Sequence, residues 1–469
     1  MPISFLKQRY VSAPLALPTI AGLTPNDVEV CITDENVEPV DFEEKVDLVA
    51  ITFNVSGIIR AYEIADEFRR RGVPVVLGGI LTSMVPDEAL FHADAIVLGE
   101  AEGIWQEVVN DFRRGRLQRV YRNSKTPDLK DSPIPRWDLL RSDRYFFHHL
   151  QTTRGCPFNC DFCSVTWFFG GKYRHKPVEK VVEEVKFLQK IDRNKLVFIV
   201  DDNFISNPAH AKDLAKALIP LKMRWYGQAP ITVAEDEDLL ELLRESGCVE
   251  LFIGFESLSQ NSLDAMGKGK VNKVAKYEQA IEKIYSHGIK IFGSFMLGGE
   301  YDDEAIFEKT VKFVNDNNIR FSLVNIVTPP PGTRLFQRLE KEGRILHKNW
   351  EKYTAEFVTF TPNLMSAQKL QDGFLWTLKE IYSYGNLFKR LNTLNEKIFP
   401  TQKGKQQIRV RKLLMMVALI IDALVHGKLN RVLFLLKCLM KIRQISSQSV
   451  LRAINAYEYS SDPFKSHKK

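Results

Sequence analysis

Short apolar runs alternate with amphipathic stretches in the N-terminal quarter of the chain. Residues 46–53, 73–77 and 95–98 have the length and composition of strands that are buried on both faces of a sheet. Residues 58–68 and 104–112 instead carry apolar side chains at helical spacing, with charged residues between them. Strands that alternate with helices predict a parallel sheet with crossover helices, so we expect a doubly wound, Rossmann-like α/β domain here.

The edges of this domain are less regular. Residues 28–32 predict one more short strand ahead of the others, and residues 86–91 predict a short helix. Residues 126–145 are rich in Pro, Asp and Arg and lack periodicity, which is typical of a linker. The sequence therefore predicts a first domain at 1–125 and a linker at 126–145.

The same alternation continues over residues 146–345 and predicts six strand–helix units, the pattern of a partial (β/α)6 barrel of the TIM type. Barrels of parallel strands place their chemistry at the carboxyl ends of the strands. Asp201 and Asp202 stand at one such end, where they either face a bound molecule or cap the next loop. The strands are predicted at 150–153, 196–200, 225–231, 249–255, 289–297 and 321–327, and the helices at 178–188, 236–246, 273–287 and 303–317.

Residues 346–469 are predicted to form a helical C-terminal region. An amphipathic pattern predicts a helix at 366–391, and two apolar runs follow at 413–425 and 432–440. Neither run reaches the roughly 20 residues that a membrane-spanning helix needs. Two interpretations stay open, namely the helices of a small cap and a hairpin that lies on an anionic membrane surface.

The charge is concentrated in this C-terminal region. From residue 401 onward there are 14 Lys and Arg against 3 Asp and Glu, a net charge of +11 in a chain whose total is +7. The basic residues follow no known nucleic-acid-binding module, so no nucleic-acid partner is expected. A basic tail with apolar runs suits contact with a membrane surface and a small or lipid-like substrate.

The overall composition is ordinary for a soluble globular protein, with 45% hydrophobic and 26% charged residues. Six cysteines in 469 residues do not make a disulfide framework, which indicates a reducing compartment. Cys31, Cys248 and Cys438 stand among apolar residues, and we expect them to be buried thiols. The N-terminus lacks the residue order of a signal peptide. We therefore expect a cytoplasmic protein, or one that is peripheral at the membrane.

The other three cysteines, Cys156, Cys160 and Cys163, stand within eight residues. One tight loop can direct three thiolates at a single metal centre, and iron–sulfur clusters take thiolate ligands. A cubane cluster held by three cysteines leaves one iron open to a small molecule. Zinc is the main alternative, but structural zinc sites require four ligands, usually as two pairs. The nearest histidines stand at no recognised finger spacing, namely His148, His149 and His175.

The cysteine spacing and the preceding Thr153-Arg154-Gly155 resemble the signature of the radical S-adenosylmethionine (radical SAM) enzymes. The resemblance implies that the three cysteines hold a [4Fe–4S] cluster whose fourth iron is chelated by SAM. It also implies that one electron, from a donor such as flavodoxin or ferredoxin, cleaves SAM to methionine and a 5′-deoxyadenosyl radical. The residues that it places at SAM are Phe162 beside the adenine, and Glu256, Ser257, Gly298, Gly299 and Glu300 near the amino and ribose groups.

Three features of the N-terminal domain resemble the cobalamin-binding domain of cobalamin-dependent radical SAM proteins. They are the Pro-Leu stretch at 14–18, the Gly-Gly turn at 78–79 and the Leu-Gly-Glu-Ala-Glu stretch at 98–102. Ligands of parallel sheets bind beyond the carboxyl ends of the strands. The residues expected to contact cobalamin are therefore Gly78, Gly79, Gly99 and Glu100.

The chain departs from that family pattern in two ways. There is little room for the opening strand of such domains before Tyr10, so the first strand is expected to be missing. The motif Asp-x-His-x-x-Gly, which supplies a histidine to cobalt, is absent from the sequence. If cobalamin binds, cobalt receives no histidine from that motif.

A methyl-carrying cofactor beside a radical generator implies methylation of an unactivated carbon. The leading hypothesis is thus a cobalamin-dependent radical SAM C-methyltransferase. One alternative is a radical SAM enzyme that closes rings or rearranges skeletons without methyl transfer. Another is a non-catalytic iron–sulfur or zinc scaffold whose tail binds a partner.

Overall fold

The computed structural model describes residues 10–123, 125–398, 419–420, 423–424, 428–440 and 447–461. The chain divides into two compact units. The first comprises residues 1–229, 245–248 and 328–354, and the second comprises residues 230–244, 249–327 and 355–469.

The first unit contains the N-terminal region, the cysteine loop and a short C-terminal segment. Its strands are β1 (Tyr10–Ser12), β2 (Val49–Thr52), β3 (Val75–Gly78), β4 (Ala95–Leu98), β5 (Val120–Arg122), β6 (Tyr145–Leu150), β7 (Thr153–Arg154), β8 (Arg174–His175), β9 (Leu196–Ile199) and β10 (Trp225–Ala229). Its α-helices are Ala16–Leu23, Ile58–Arg70, Ile80–Met84, Pro86–Ala89, Trp105–Arg113, Ser164–Phe169, Val178–Asp192, Pro208–Leu218 and Arg334–Lys341.

Strands β2 to β5 form a parallel sheet in chain order. Successive residues of β3 point to opposite faces, so Leu77 packs against one layer with Tyr62 and Phe68, while Val76 packs against the other with Trp105. The predicted doubly wound core is therefore confirmed. Strand β5 was not predicted, because only its central residue is buried.

Residues 28–32 form no strand, so that prediction is wrong. Val30 and Ile32 are only half-buried, and Glu29 and Cys31 are exposed. Val28 packs against a hydrophobic core cluster, but the segment pairs with no strand among the described residues. The prediction that Cys31 is buried is also wrong, whereas Cys248 and Cys438 are buried as expected.

Strands β1, β6, β9 and β10 run parallel, with β6 between β1 and β9 and with β9 next to β10. The first described strand of the chain thus pairs with β6, and in the described residues no strand ahead of β2 joins the β2–β5 sheet. The helix Pro208–Leu218 follows β9 and was not predicted. Its sequence is rich in Ala and Lys, and Ala211, Leu214, Ala215 and Leu218 cover its buried face.

The second unit contains three parallel strands in the order β11-β12-β13, with an aromatic core in which the rings of Phe255 and Phe295 stack 5.2 Å apart. The predicted strands and helices of this stretch are found within a few residues of their expected bounds. The strands are β11 (Cys248–Glu256), β12 (Lys290–Leu297) and β13 (Phe321–Ile326). The α-helices are Glu237–Glu245, Gln260–Ala265, Tyr277–Ser286, Ala305–Asp316, Ala367–Ile381, Tyr384–Ile398, Leu429–Met440 and Ser447–Ser461.

The C-terminal helices differ from the prediction in one respect. The single helix expected at 366–391 is two helices that break after Ile381, where the buried Tyr382 hydroxyl bonds to the backbone of Ser322 in β13. Most of the apolar run at 413–425 lies outside the described residues. Of the helices that the structure describes, none has the length and apolarity needed to cross a bilayer.

Candidate iron–sulfur and cofactor site

The three clustered cysteines lie on a loop whose two ends are joined by a small antiparallel ribbon. Strand β7 leads into the loop and β8 leaves it, with Thr153 opposite His175 and Arg154 opposite Arg174. Gly155 opens the loop at φ +83°, and a Cβ atom there would lie 2.4 Å from the Lys172 carbonyl oxygen. Only glycine allows this close approach, so the entry to the loop has a fixed path.

One sulfur atom of the loop lies within reach of a hydrogen-bond donor. Asn203 Nδ2 lies 3.8 Å from Cys156 Sγ. Cys163 precedes the helix Ser164–Phe169, and the backbone N–H groups of Val165 and Thr166 lie near its sulfur without a capping hydrogen bond. Burial raises the pKa of the Cys163 thiol, and these N–H groups oppose that rise. Cys160 is buried, and Cys156 and Cys163 are half-buried.

This donor set fits an iron–sulfur cluster. Thiolates are the ligands of such clusters, and hydrogen bonds to the sulfurs tune them. Within the described part of the chain, no group of three or more His, Cys, Asp or Glu side chains is arranged to hold one metal ion. A cubane cluster differs from one ion because it presents separate irons to its three cysteines.

A helix from the C-terminal segment of the same unit braces the outside of the loop. At the start of the helix Arg334–Lys341, the Leu335 N–H donates to the Asp161 carbonyl oxygen at 3.0 Å, and Arg334 donates to the Asn159 carbonyl oxygen. Arg338 lies 3.5 Å from the Asp161 carboxylate. Burial raises the pKa of Asp161, which Arg338 partly offsets. The loop is thereby held at its middle as well as at its ends.

Two aspartates and an asparagine follow β9 and approach the loop from the inside. Asp201 is fully buried and accepts hydrogen bonds from the backbone N–H groups of Thr152 and Thr153 at 2.6 and 3.0 Å, and from the Thr152 hydroxyl. Burial raises the pKa of Asp201 to about 6. Burial and the neighbouring Asp201 raise the pKa of Asp202 to about 7. Asp201 thus has a structural role, but it holds the segment before the cysteine loop rather than the loop that follows β9.

Four buried charged residues connect the end of β4 to the ribbon. The Glu100 carboxylate lies 2.6 Å from Arg154 and 2.7 Å from Arg174, and Glu102 lies 2.7 Å from Arg154. All four side chains are less than a tenth exposed. Burial would raise the pKa of Glu102, but Arg154 outweighs it and the pKa is lowered. Glu100 was predicted as a cobalamin contact, and its carboxylate is engaged by two arginines.

The predicted cobalamin-contacting glycines stand at the carboxyl ends of β3 and β4. Gly79 has φ +100°, and a Cβ there would lie 2.6 Å from Thr52 Oγ1. Gly99 has φ +82° and nothing within 4 Å of an added Cβ, so its backbone faces open space. Its N–H donates to Ser83 Oγ at 2.9 Å. An open backbone at a strand end fits a large ligand.

In the second unit, Glu256 ends β11 in a left-handed conformation, with φ +65° at a bulge in the pairing with β12. A non-glycine residue in this region is strained, and such strain gathers at functional sites. Its carboxylate lies 3.4 Å from Lys268 Nζ. The neighbouring Ser257 is buried, and its Oγ lies 3.3 Å from Asp302 Oδ1.

The Gly298-Gly299 turn after β12 is tightly packed. Gly298 has φ +90°, and an added Cβ would lie 2.5 Å from the Leu370 side chain. An added Cβ on Gly299 would lie 2.9 Å from Met266, and its N–H donates to Asp302 Oδ2 at 2.9 Å. Protein side chains thus fill the space beside both glycines.

Within each unit, the structure gathers part of the predicted site. In the first unit, the three cysteines share one loop, with Phe162 half-buried beside them. In the second unit, Ser257 and Gly299 share Asp302 as a partner, and Glu300 is half-buried next to them. The individual SAM and cobalamin contacts stay predictions. Asn203 and Arg174 were not predicted as site residues, and Arg154 and Glu102 were noted only as parts of motifs. Nothing in the spacing of single polar residues links such distant positions.

Two family models match the chain. The radical SAM superfamily model matches residues 150–314, which include the cysteine loop and β9 to β12. A model for a domain of unknown function (DUF4070) matches residues 333–459, which include the helix that braces the loop.

Two curated proteins are similar to this chain over most of their length. Bacteriochlorophyllide d C-12(1)-methyltransferase of Chlorobaculum tepidum is 30% identical over 391 residues, which are 81% of this chain and 85% of the relative. Hopanoid C-2 methylase of Rhodopseudomonas palustris is 28% identical over 359 residues, 74% of this chain and 67% of the relative. The chain belongs to the radical SAM superfamily.

The structure of the radical SAM methyltransferase TsrM from Kitasatospora setae, with cobalamin and a [4Fe–4S] cluster bound, superposes with a TM-score of 0.59 at 18% identity. The superposition covers 71% of this chain and 75% of TsrM. At that identity the likeness establishes a shared fold. It confirms the expected α/β architecture with a partial radical SAM barrel.

Proposed function

We propose that this protein is a radical SAM C-methyltransferase that uses cobalamin as methyl carrier and acts on an unactivated carbon. The observation that carries the proposal is the loop that holds Cys156, Cys160 and Cys163, which is closed at both ends and has the Asn203 amide beside one of its sulfurs. The similarity to two C-methylating relatives over most of their length supports methyl transfer over ring closure.

Cys156, Cys160 and Cys163 would hold the [4Fe–4S] cluster. When bound, the cluster supplies the electron that cleaves SAM to a carbon-centred radical. The chain's own contribution is to set the environment of the thiolates. The Asn203 amide lies near the Cys156 sulfur, and the Arg334–Lys341 helix holds the loop from outside. Rigid ligands keep the cluster geometry constant while it changes charge.

Glu256, Ser257, Gly298, Gly299 and Glu300 are the proposed contacts of the SAM amino and ribose groups, with Phe162 at the adenine. A carboxylate is the natural acceptor for an ammonium group. The strained backbone of Glu256 supports a role for this residue beyond packing, because strain of this kind persists only where it is functional or over-determined.

Cobalamin would lie at the carboxyl ends of β3 and β4, against Gly78, Gly79 and Gly99. The open backbone at Gly99 supports this placement. No histidine reaches cobalt from an Asp-x-His-x-x-Gly motif, since the chain lacks one. When bound, cobalamin supplies the methyl group, and the protein supplies the surface that orients it.

The proposed substrate is a rigid, largely apolar polycyclic molecule. The two relatives are named for a bacteriochlorophyllide and for hopanoids, which share that character. A large flat substrate reaches the site with little loss of conformational entropy, because it has few rotatable bonds. An electron donor such as flavodoxin or ferredoxin would supply the electron for SAM cleavage.

We also propose that the C-terminal helices rest on an anionic membrane surface. On the helix Leu429–Met440, the side chains of Leu429, Leu433, Leu436 and Met440 recur at helical spacing and are 42–78% exposed. The exposed Lys437 lies on the same helix, in a stretch of net charge +11. An apolar stripe with basic neighbours binds lipid interfaces.

Vesicle sedimentation tests this contact. The full chain is expected to sediment with vesicles that contain phosphatidylserine and less with phosphatidylcholine alone. Leu433→Glu should abolish the binding, whereas Leu346→Glu, at an equally exposed leucine outside this stripe, should not. Equal recovery of the wild type with both kinds of vesicle, or with neither, would argue against the contact.

The catalytic proposal is tested with anaerobically reconstituted protein, cobalamin, a strong reductant and SAM that carries a deuterated methyl group. The expected products are 5′-deoxyadenosine and a substrate whose mass has grown by one labelled methyl, both lost in Cys160→Ala. Candidate substrates are a bacteriochlorophyllide and a hopanoid. A product with a new ring and no label would support the cyclase alternative instead.

A further inference from the structure

The ribbon that closes the cysteine loop places two arginines opposite each other. Arg154 of β7 and Arg174 of β8 are direct cross-strand partners. Like charges that face each other across two strands destabilise the pairing. Both side chains are about 9% exposed, so water screens the repulsion poorly. An anion between the two guanidinium groups therefore stabilises the closed ribbon.

Glu100 is that anion. One carboxylate oxygen lies 2.6 Å from Arg154 and 3.1 Å from Arg174, and the other lies 2.7 Å from Arg174. Glu102 contacts Arg154 only. The remaining hydrogen bonds of Arg174 go to the carbonyl oxygens of Pro127 and Phe169. Two carboxylates balance two arginines, and only Glu100 touches both.

The backbone that carries the bridging carboxylate is held by the end of the N-terminal sheet. Glu100 follows Gly99 at the carboxyl end of β4, and the Asn123 side chain donates to the carbonyl oxygens of Glu100 and Glu102 at 2.7 and 2.5 Å. The sheet therefore fixes the backbone of Glu100, and the two arginines orient its carboxylate. Because Gly155 directly precedes Cys156, any opening of the ribbon moves the first cysteine.

We propose that Glu100 is a positioning residue for the cysteine loop. Its carboxylate neutralises Arg154 and Arg174 together, keeps the ribbon paired and so holds Cys156 to Cys163 in the arrangement that retains iron. This role, which rests on the proposed cluster, differs from the cobalamin contact expected from the sequence. It also makes the end of the N-terminal sheet a structural part of the cluster site.

The test compares iron retention in Glu100→Gln and Glu102→Gln. After anaerobic reconstitution, the rate of iron release to a colorimetric chelator is measured for each protein. Glu100→Gln leaves Arg174 buried without a carboxylate, and we expect iron release to be roughly tenfold faster. Glu102→Gln leaves the bridge intact and should release iron at a rate close to that of the wild type. Equal rates in the two variants would overturn the proposal.

A rescue experiment separates positioning from a general loss of stability. If the defect comes from two facing positive charges, Glu100→Gln combined with Arg174→Gln should retain iron better than Glu100→Gln alone. The comparison of the double and single variants also tests the positioning role of Glu100 if the single variant folds poorly. A double variant that is no better than the single one would contradict the proposal.

Two further readouts distinguish this proposal from others. In the iron-free protein, the backbone amides of residues 155–173 should exchange hydrogen faster in Glu100→Gln than in the wild type. This measurement does not depend on any cofactor. Cobalamin affinity should be unchanged in the same variant, whereas a direct cobalamin contact would show weaker binding with normal iron retention. If the wild-type protein holds iron but never cleaves SAM, the proposed function is refuted. The comparison of iron release between Glu100→Gln and Glu102→Gln remains valid in that case.

Discussion

The side-chain amide of Asn203 donates toward the sulfur of Cys156 across 3.8 Å. Asn203 is buried, and it immediately follows the two aspartates at the end of β9. A hydrogen bond to a cluster sulfur stabilises the more negative, reduced state and raises the reduction potential. The contact therefore gives Asn203 a defined influence on the electron-transfer step.

Asn203→Ala should lower the midpoint potential of the bound cluster by an amount on the order of tens of millivolts. A redox titration followed by electron paramagnetic resonance (EPR) measures the shift. Asn194→Ala is the control, because Asn194 stands in the turn before β9, at the opposite end of the same strand. An unchanged potential in Asn203→Ala would show that the amide does not act on the cluster.

Glu256 is expected to lower the stability of the fold through its strained backbone and to increase the affinity for SAM. Its left-handed backbone is unfavourable for any residue other than glycine by about 1–2 kcal/mol. We therefore expect Glu256→Gly to melt at the same temperature as the wild type or higher, while its Kd for SAM increases. Lys222→Gly relieves a similar conformation, with φ +50°, at an exposed turn and should leave the Kd unchanged. Normal SAM affinity in Glu256→Gly would remove this residue from the proposed site.

Gly373 lies where two helices of the second unit touch. A Cβ atom there would come within 2.1 Å of the Phe307 ring, so the helices Ala305–Asp316 and Ala367–Ile381 would have to separate. Gly373→Ala should lower the free energy of unfolding by about 1–3 kcal/mol despite the better helix propensity of alanine. Gly385→Ala, in a helix with nothing within 4 Å of the added Cβ, should be neutral or stabilising. Denaturant unfolding of the two variants checks the contrast.

His149 should make the fold sensitive to acid. It is buried on β6 against Phe198, and burial lowers its pKa to about 4. An unfolded histidine binds its proton near pH 6.5, so the unfolded state gains protons first as the pH falls. Stability is therefore complete above about pH 6.5 and is lost progressively between there and about pH 4, by up to about 3 kcal/mol.

His149→Phe should make this part of the stability–pH curve shallower, because phenylalanine has no proton to bind. His148 and His210, whose pKa values burial also lowers to about 4, should keep their own share of the loss. Thermal melting of the iron-free protein between pH 7 and pH 4.5 measures the effect. His287→Phe, at a half-buried helix end, serves as the control and should keep the wild-type slope. If the His149 variant and the wild type lose stability in parallel, the acid sensitivity has another origin.

Local patterns in the sequence predicted most of the fold. Runs such as 95–98 and amphipathic stretches such as 58–68 carry strong periodic signals, and the structure has a strand and a helix at those places. The failures come from places where burial depends on distant residues. Residues 28–32 resemble a strand in sequence but pair with no described strand, while β5 has a polar sequence and pairs through its backbone.

The candidate site divides in the same way. Cys156, Cys160 and Cys163 were found because their spacing within one loop is itself the signal. The role of Glu100 could not be read from its neighbours, because Arg154 and Arg174 meet it only after the sheet and the ribbon have formed. Asn203 was hidden for a similar reason, since an asparagine after a strand has many ordinary uses.

The three cysteines are expected to hold a [4Fe–4S] cluster with one iron open to SAM. The EPR spectrum of the anaerobically reconstituted, reduced protein, recorded before and after SAM is added, measures this most directly. We expect a single [4Fe–4S] signal whose g-values change when SAM binds and which is absent in Cys160→Ala. A cluster signal that SAM leaves unaltered, or that survives in Cys160→Ala, would contradict it.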